Sequence, residues 1–159
     1  YRTYLNTRQA YVFAFRGIAA TSFGQTPQTF RVGGSYTLRG YDFGEIRGEN
    51  LLLGNAEFRF PLIDFVKFGW PLPIVFTGIR GLVFFDTAAA WDDAEEFRPI
   101  GGQEGRSGFY LNDVKAAWGF GARMNAFGFL IARWDLSRKT DLKDTIGPWQ
   151  GRFSLGAEF

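Results

Sequence analysis

The chain of 159 residues carries 18 Lys and Arg against 16 Asp and Glu, with 21 Gly, 19 Phe, one Met, and neither His nor Cys. That composition excludes Ser-His-Asp and Cys-His nucleophile systems, imidazole or thiolate metal sites, and any disulfide framework. A net charge of +2, spread along the chain rather than massed, gives no footprint for nucleic acid.

The length fits one domain, and residues 1–159 read as a single unit without an interdomain linker or sequence repeat. No run approaches the roughly 18 apolar residues of a membrane-spanning helix, and the run from Leu82 to Phe85 stops at Asp86. The chain opens Tyr1-Arg2-Thr3-Tyr4, without Met or a basic-then-apolar leader, so residue 1 is expected to lie inside a longer polypeptide. Barrel strands that cross a membrane leave a weaker signal, about ten residues of alternating polarity each.

Six segments alternate with period two, which predicts strands. The first spans 10–22, with Tyr11, Phe13 and Phe15 on one face and Arg16 on the other. A long Gly-rich loop, 23–50, follows. The second, 51–61, sets Leu52, Ala56, Phe58 and Phe60 against Asn55, Glu57 and Arg59. A Pro-containing link, 62–76, leads to the third, 77–91, where Ile79, Val83, Phe85, Ala89 and Trp91 oppose Arg80, Phe84 and Asp86. A polar loop, 92–114, precedes the fourth, 115–125, with Ala116, Trp118, Phe120, Ala122 and Met124 against Lys115, Gly119, Gly121 and Arg123. After the Asn125-Ala126-Phe127-Gly128 turn, the fifth, 129–137, opposes Leu130, Ala132, Trp134 and Leu136 to Arg133, Asp135 and Ser137. A link over 138–150 leads to the sixth, where Phe153, Leu155, Ala157 and Phe159 face away from Arg152, Ser154, Gly156 and Glu158.

Every charge within these segments falls on one parity. A soluble sandwich or lipocalin-like barrel turns its apolar parity inward, whereas a transmembrane barrel turns it toward lipid and keeps charge in the lumen. Strands of about ten residues, aromatics expected near strand ends (Tyr11, Trp91, Trp118, Trp134, Phe159) and a polar face of both signs with interspersed glycines favour the transmembrane form. Six strands are too few to close a barrel, and open edges in lipid cost several kcal/mol per unpaired group. The chain is therefore expected to be one piece of a larger barrel.

Gly33-Gly34-Ser35-Tyr36-Thr37-Leu38-Arg39-Gly40-Tyr41 resembles the Arg-Gly-aromatic motif in the sixth extracellular loop of the BamA-type surface-antigen superfamily. That superfamily includes outer-membrane assembly insertases, TamA-like translocation factors and two-partner secretion transporters. Gly54-Asn55-Ala56-Glu57-Phe58-Arg59-Phe60-Pro61 resembles the strand after that loop. Phe84-Phe85-Asp86-Thr87-Ala88-Ala89-Ala90-Trp91 resembles the next strand, with Thr87 where the family often has Gly. Gly119-Phe120-Gly121-Ala122-Arg123 and the strand ending in Phe159 fit the last two hairpins.

The resemblance implies an all-β fold: the C-terminal six strands of a sixteen-stranded antiparallel outer-membrane barrel. It further implies a loop lock, in which Arg39, within Arg39-Gly40-Tyr41, meets Glu57 and Asp86 on the charged parity of the wall, with Phe84 beside them. An arginine fork on carboxylates is short, directional and charge-assisted. Phe153, Leu155, Ala157 and Phe159 are implied to form the C-terminal strand signal read by assembly machinery.

The implied function has no covalent step, catalytic residue, metal or cofactor: insertion or translocation of other polypeptides through a lateral seam at the last strand. Its partners would be the remaining N-terminal strands and periplasmic domains, client polypeptides and the lipid bilayer, with no nucleic acid. A passive outer-membrane channel or surface antigen is the alternative, followed by an outer-membrane hydrolase and a soluble ligand-binding barrel. The acidic run Asp92, Asp93, Glu95 and Glu96 reads as a solvated loop, and Arg133 with Asp135 and Arg152 with Glu158 as wall ion pairs.

Overall fold

The computed structural model describes residues 2–7, 11–68, 74–93, 95, 97–101, 110–126 and 130–156. Among these the chain is all-β. β1 (Arg2–Thr7), β2 (Tyr11–Thr21), β3 (Phe30–Val32), β4 (Ile46–Gly48), β5 (Asn50–Phe68), β6 (Ile74–Trp91), β7 (Ile100–Gly101), β8 (Tyr110–Leu111), β9 (Lys115–Ala126), β10 (Leu130–Thr140) and β11 (Thr145–Gly156) follow in order. Seven of them form one antiparallel sheet in the order β1-β2-β5-β6-β9-β10-β11, while β3 with β4 and β7 with β8 form two short ribbons.

The described parts of all six alternating segments lie in the main sheet, and β1 adds a seventh strand in register with β2, from Arg2 opposite Arg16 to Thr7 opposite Tyr11. Two expected links are shorter than their composition indicates. β5 continues to Phe68 and β6 begins at Ile74, so Pro61 lies inside a strand, at a register shift between Pro61 and Ile63. The shift is what a residue lacking an N–H requires. β10 continues to Thr140 and β11 begins at Thr145, leaving a reverse turn at 141–144 closed by Asp141 N donating to Asp144 O at 3.2 Å. Trp134 stands in the middle of β10 rather than near its end.

The two faces of the sheet are opposite in character. One exposes Tyr11, Phe13, Phe15, Leu52, Val83, Phe120, Trp134, Phe153 and Leu155. Phe153 is 64% exposed and Val83, next to fully buried Leu82, is 48% exposed. The other face carries the charged parity, and there Arg39, Asp86 and Asp135 are buried.

The core lies on this second face. The 23–50 loop folds over it, and Val32, Leu38 and Tyr41 pack on Leu53, Ala88 and Ala117, with Ile46 and Leu51 at the margin. Small residues on the wall make the seat. Gly40, at φ +85°, lies so close that a Cβ there would stand 3.3 Å from Ala117 Cβ and 3.5 Å from Ser137 Oγ. Gly119 has the opposite duty, on the wall itself: a Cβ there would fall 2.7 Å from Phe84 Cζ and 2.1 Å from Leu136 O.

Gly119→Ala should therefore destabilise the folded protein by about 1–3 kcal/mol through overpacking. Gly17→Ala, whose Cβ would meet nothing within 4 Å, should leave stability unchanged or slightly raised. Unfolding midpoints of the full-length protein check the pair; equal losses at both positions would contradict this packing.

Candidate functional site: a buried arginine lock on the inner face

Strand register builds the site in parallel rows. Arg16, Asn55, Asp86 and Ala117 pair across β2, β5, β6 and β9. In the next row Ala14, Glu57, Phe84, Gly119 and Ser137 pair across β2 to β10. Each row offers polar groups from the central strands and a small residue from β9, which leaves a hollow into which the loop tip drops. The tip itself is shaped by Gly33 and Gly34, at φ +129° and +98°. Gly34 N donates to Tyr41 O at 3.0 Å, and the Thr37 hydroxyl donates to Gly33 O at 2.8 Å.

This tip delivers Arg39, 3% exposed, onto the wall. Its Nε donates to Asp86 Oδ2 at 2.6 Å and its Nη2 to Asp86 Oδ1 at 2.7 Å, a bidentate fork. Nη1 donates to Glu57 Oε1 at 2.8 Å, and the backbone N of Arg39 to Asp86 Oδ2 at 3.2 Å. The guanidinium carbon lies 3.4 Å from the centre of the Phe84 ring, a stacking geometry that arginine favours. Burial pulls the Arg39 pKa down, but the bond to Asp86 and the charges of Asp86 and Glu57 outweigh it and hold the pKa above its ordinary value. The Arg39 guanidinium therefore stays charged.

The structure thus brings together Arg39, Glu57, Phe84 and Asp86, with Gly40 and Tyr41 seated alongside. Tyr41 donates its hydroxyl to Ala116 O at 3.3 Å; burial, with the nearby Glu45 carboxylate adding to it, pushes its pKa up to about 12, so the hydroxyl keeps its proton. Of the expected strand signal, Phe153 and Leu155 are exposed on the apolar face, while Ala157 and Phe159 lie outside the described residues. Arg133 Nε pairs with Asp135 at 2.7 Å. Arg152 pairs with Asp42 of the loop at 2.8 Å, and its expected partner Glu158 lies outside the described residues. In the acidic run, Asp92 accepts from Glu49 N and Asp93 from Glu95 N, each at 2.9 Å. Glu96 is not described, and among the described residues no acidic group has the makings of a metal site.

Four participants have no mark in a single sequence. Asn55 is the hub: its Nδ2 donates to Thr37 O and to Asp86 Oδ1, both at 2.7 Å, and its Oδ1 accepts from Arg16 Nε at 2.8 Å. Arg16 also donates to Tyr36 O. Arg123 reaches Glu57 Oε1 at 2.8 Å, and Arg59 reaches Glu57 Oε2 at 2.8 Å. The available signal was parity, since all lie on the charged side, but parity does not say which loop atom they meet.

At the loop's outer margin, Lys139 Nζ donates to Glu45 Oε1 at 2.7 Å and lies 4.2 Å from the Tyr41 ring centre. Partial burial raises the Glu45 pKa, yet the Lys139 bond and the bond from Asp42 N win, and it stays below the ordinary carboxylate range.

The chain matches no family model, no curated protein and no solved structure.

Two outcomes follow from the geometry. Arg39→Ala leaves buried Asp86 without its cationic partner and should cost about 3–5 kcal/mol. Arg39→Lys should recover only part of that, because an ammonium cannot form the fork; unfolding of the full-length protein measures both. Because the folded-state pKa of Glu45 is lowered, its contribution is complete above the ordinary carboxylate range and fades as pH falls through the folded value. The stability gap between wild type and Glu45→Gln, present at neutral pH, should accordingly close on acidification; a gap that widened in acid would contradict the assignment.

Proposed function

We propose that this chain is the C-terminal part of a BamA/TamA-type outer-membrane β-barrel that assists insertion or translocation of other polypeptides. The observation that carries the reading is the polarity of the sheet: exposed Phe13, Val83, Phe120, Phe153 and Leu155 on one face, buried Arg39, Asp86 and Asp135 on the other. A continuous apolar face of this kind on a protein surface marks a membrane or partner, and apolar-out with polar-in is the pattern of a strand wall in lipid. The ordered resemblance of the Arg39-Gly40-Tyr41 loop and the strands after it supports the same assignment.

In that setting the seven strands need neighbours. Unpaired backbone at the free edges of β1 and β11 would cost several kcal/mol per group in hydrocarbon, so further strands from the same polypeptide complete the wall. The last strand is the weak side of the seam. Its pairing with β10 shifts register between Ser137 and Lys139, its N-terminal part holds Gly147 at φ +73° and Pro148, and Gly151 and Gly156 follow. Poor pairing makes an edge that opens, and an open edge templates an incoming strand by backbone hydrogen bonding. The Arg39 lock braces the opposite part of the wall while that edge exchanges partners. A loop seated on the inner face also fills space that a passive channel would leave open.

Photoreactive residues placed along 150–156 of the full-length protein should capture client strands, while the same probes at Phe58 on β5 should not. Capture confined to positions away from β11 would contradict the seam, and a full-length protein that is soluble without detergent and shows no heat-dependent gel shift would remove the membrane reading altogether.

A further inference from the structure

Beyond the lock, toward the turn between β9 and β10, the inner face carries a second concentration of charge. Arg80, Arg123 and Arg133 occupy directly paired positions on β6, β9 and β10. Like charges directly opposite across strands repel, so such a row needs counter-charge. The wall supplies little of it. Glu57 is shared among Arg39, Arg59 and Arg123, with Arg133 at 3.9 Å. Asp135 serves Arg133, and Asp86 is taken by the Arg39 fork. Among the described residues, five guanidiniums thus meet three carboxylates here, an excess of two positive charges.

The excess faces an open space. A cavity of about 360 Å³ is lined by Arg59, Arg80 and Arg123, with Asn125 and the apolar Val12 and Ile131 completing its wall. Arg80 is exposed there and has no carboxylate in ion-pair range among the described residues. The Nε of Arg123 is buried with no hydrogen-bond partner, a state that costs free energy unless something accepts from it.

We propose that this cavity binds a phosphate dianion or the phosphomonoester head of a larger molecule, held by Arg59, Arg80 and Arg123. The two-charge excess matches a dianion, and planar guanidinium forks suit the paired oxygens of phosphate. Asn125 is placed to donate to a further oxygen. The site lies on the inner face of the sheet and does not depend on the polypeptide-transport reading.

Calorimetric titration of the folded full-length protein with inorganic phosphate at constant ionic strength tests it. Saturable binding is expected, weakened about tenfold or more by Arg80→Gln, the loss typical of one charge-assisted contact, and less by Arg80→Lys. Since Arg80 is exposed, neither variant should lower the unfolding midpoint. A short-chain phosphatidate that competes with phosphate would assign the natural ligand to a lipid head; free phosphate unaffected by it would assign a soluble one. Absence of saturable binding, equal affinity in wild type and Arg80→Gln, or tighter binding of an acidic peptide than of phosphate would each overturn the proposal.

Discussion

A buried guanidinium imposes strict conditions, and the inner face of this sheet is organised around one. Arg39 is 3% exposed, and a charge so placed must be paired and fully hydrogen-bonded. Asp86 receives the fork and Glu57 the remaining amino group, while Asn55 satisfies Asp86 from the other side and ties it to the Thr37 carbonyl. Because the acceptors stand on β5 and β6 and the donor on the loop, the contact converts 28 residues of Gly-rich connection, 23–50, into a fixed part of the wall. The ordering entropy of such a loop is large, which is why the attachment uses a charged fork, a stacked ring and an apolar plug of Val32, Leu38 and Tyr41 together.

The lock also dictates which residues β9 can hold. Ala117, Gly119 and Gly121 stand beside Asp86, Phe84 and Leu82 in the paired rows, and each leaves room for a neighbour. A Cβ on Gly121 would lie 2.4 Å from Asp135 Oδ1, as one on Gly119 would strike Phe84. Farther out the loop reaches the last two strands through Glu45 to Lys139 and Asp42 to Arg152. These outer pairs are solvent-accessible and individually weak. The loop is consequently anchored firmly on β5 and β6 and lightly on β10 and β11.

Much of this was legible in the sequence, for a definite reason. Strands alternate with period two, so the single parity of Glu57, Arg59, Asp86, Arg123, Arg133 and Asp135 marks one charged face in the sequence itself. The meeting of Arg39 with Glu57 and Asp86 came from a resemblance of ordered motifs, since nothing in the spacing of a loop arginine points to carboxylates 18 and 47 residues away. Strand ends were less legible. Pro61 closes the second predicted strand and Pro148 falls in a predicted link, yet both sit within strands at irregular register, where a missing N–H is tolerated. β1 alternates over too few residues to stand out and is fixed by its pairing with β2. Asn55 was invisible as a hub because an uncharged amide on a polar face has no distinguishing pattern.

The central claim is that the apolar face meets lipid while the charged face is turned away from it, and adjacent residues on one strand test that most directly. Nitroxide labels at Leu82 and Val83 of the full-length protein in bilayers would report collision with oxygen, which concentrates in hydrocarbon, and with a water-soluble nickel chelate. Val83 is expected to be oxygen-accessible and nickel-protected, with the adjacent Leu82 shielded from oxygen by the packed inner face. A nickel-accessible Val83, or two labels with the same profile, would contradict the account.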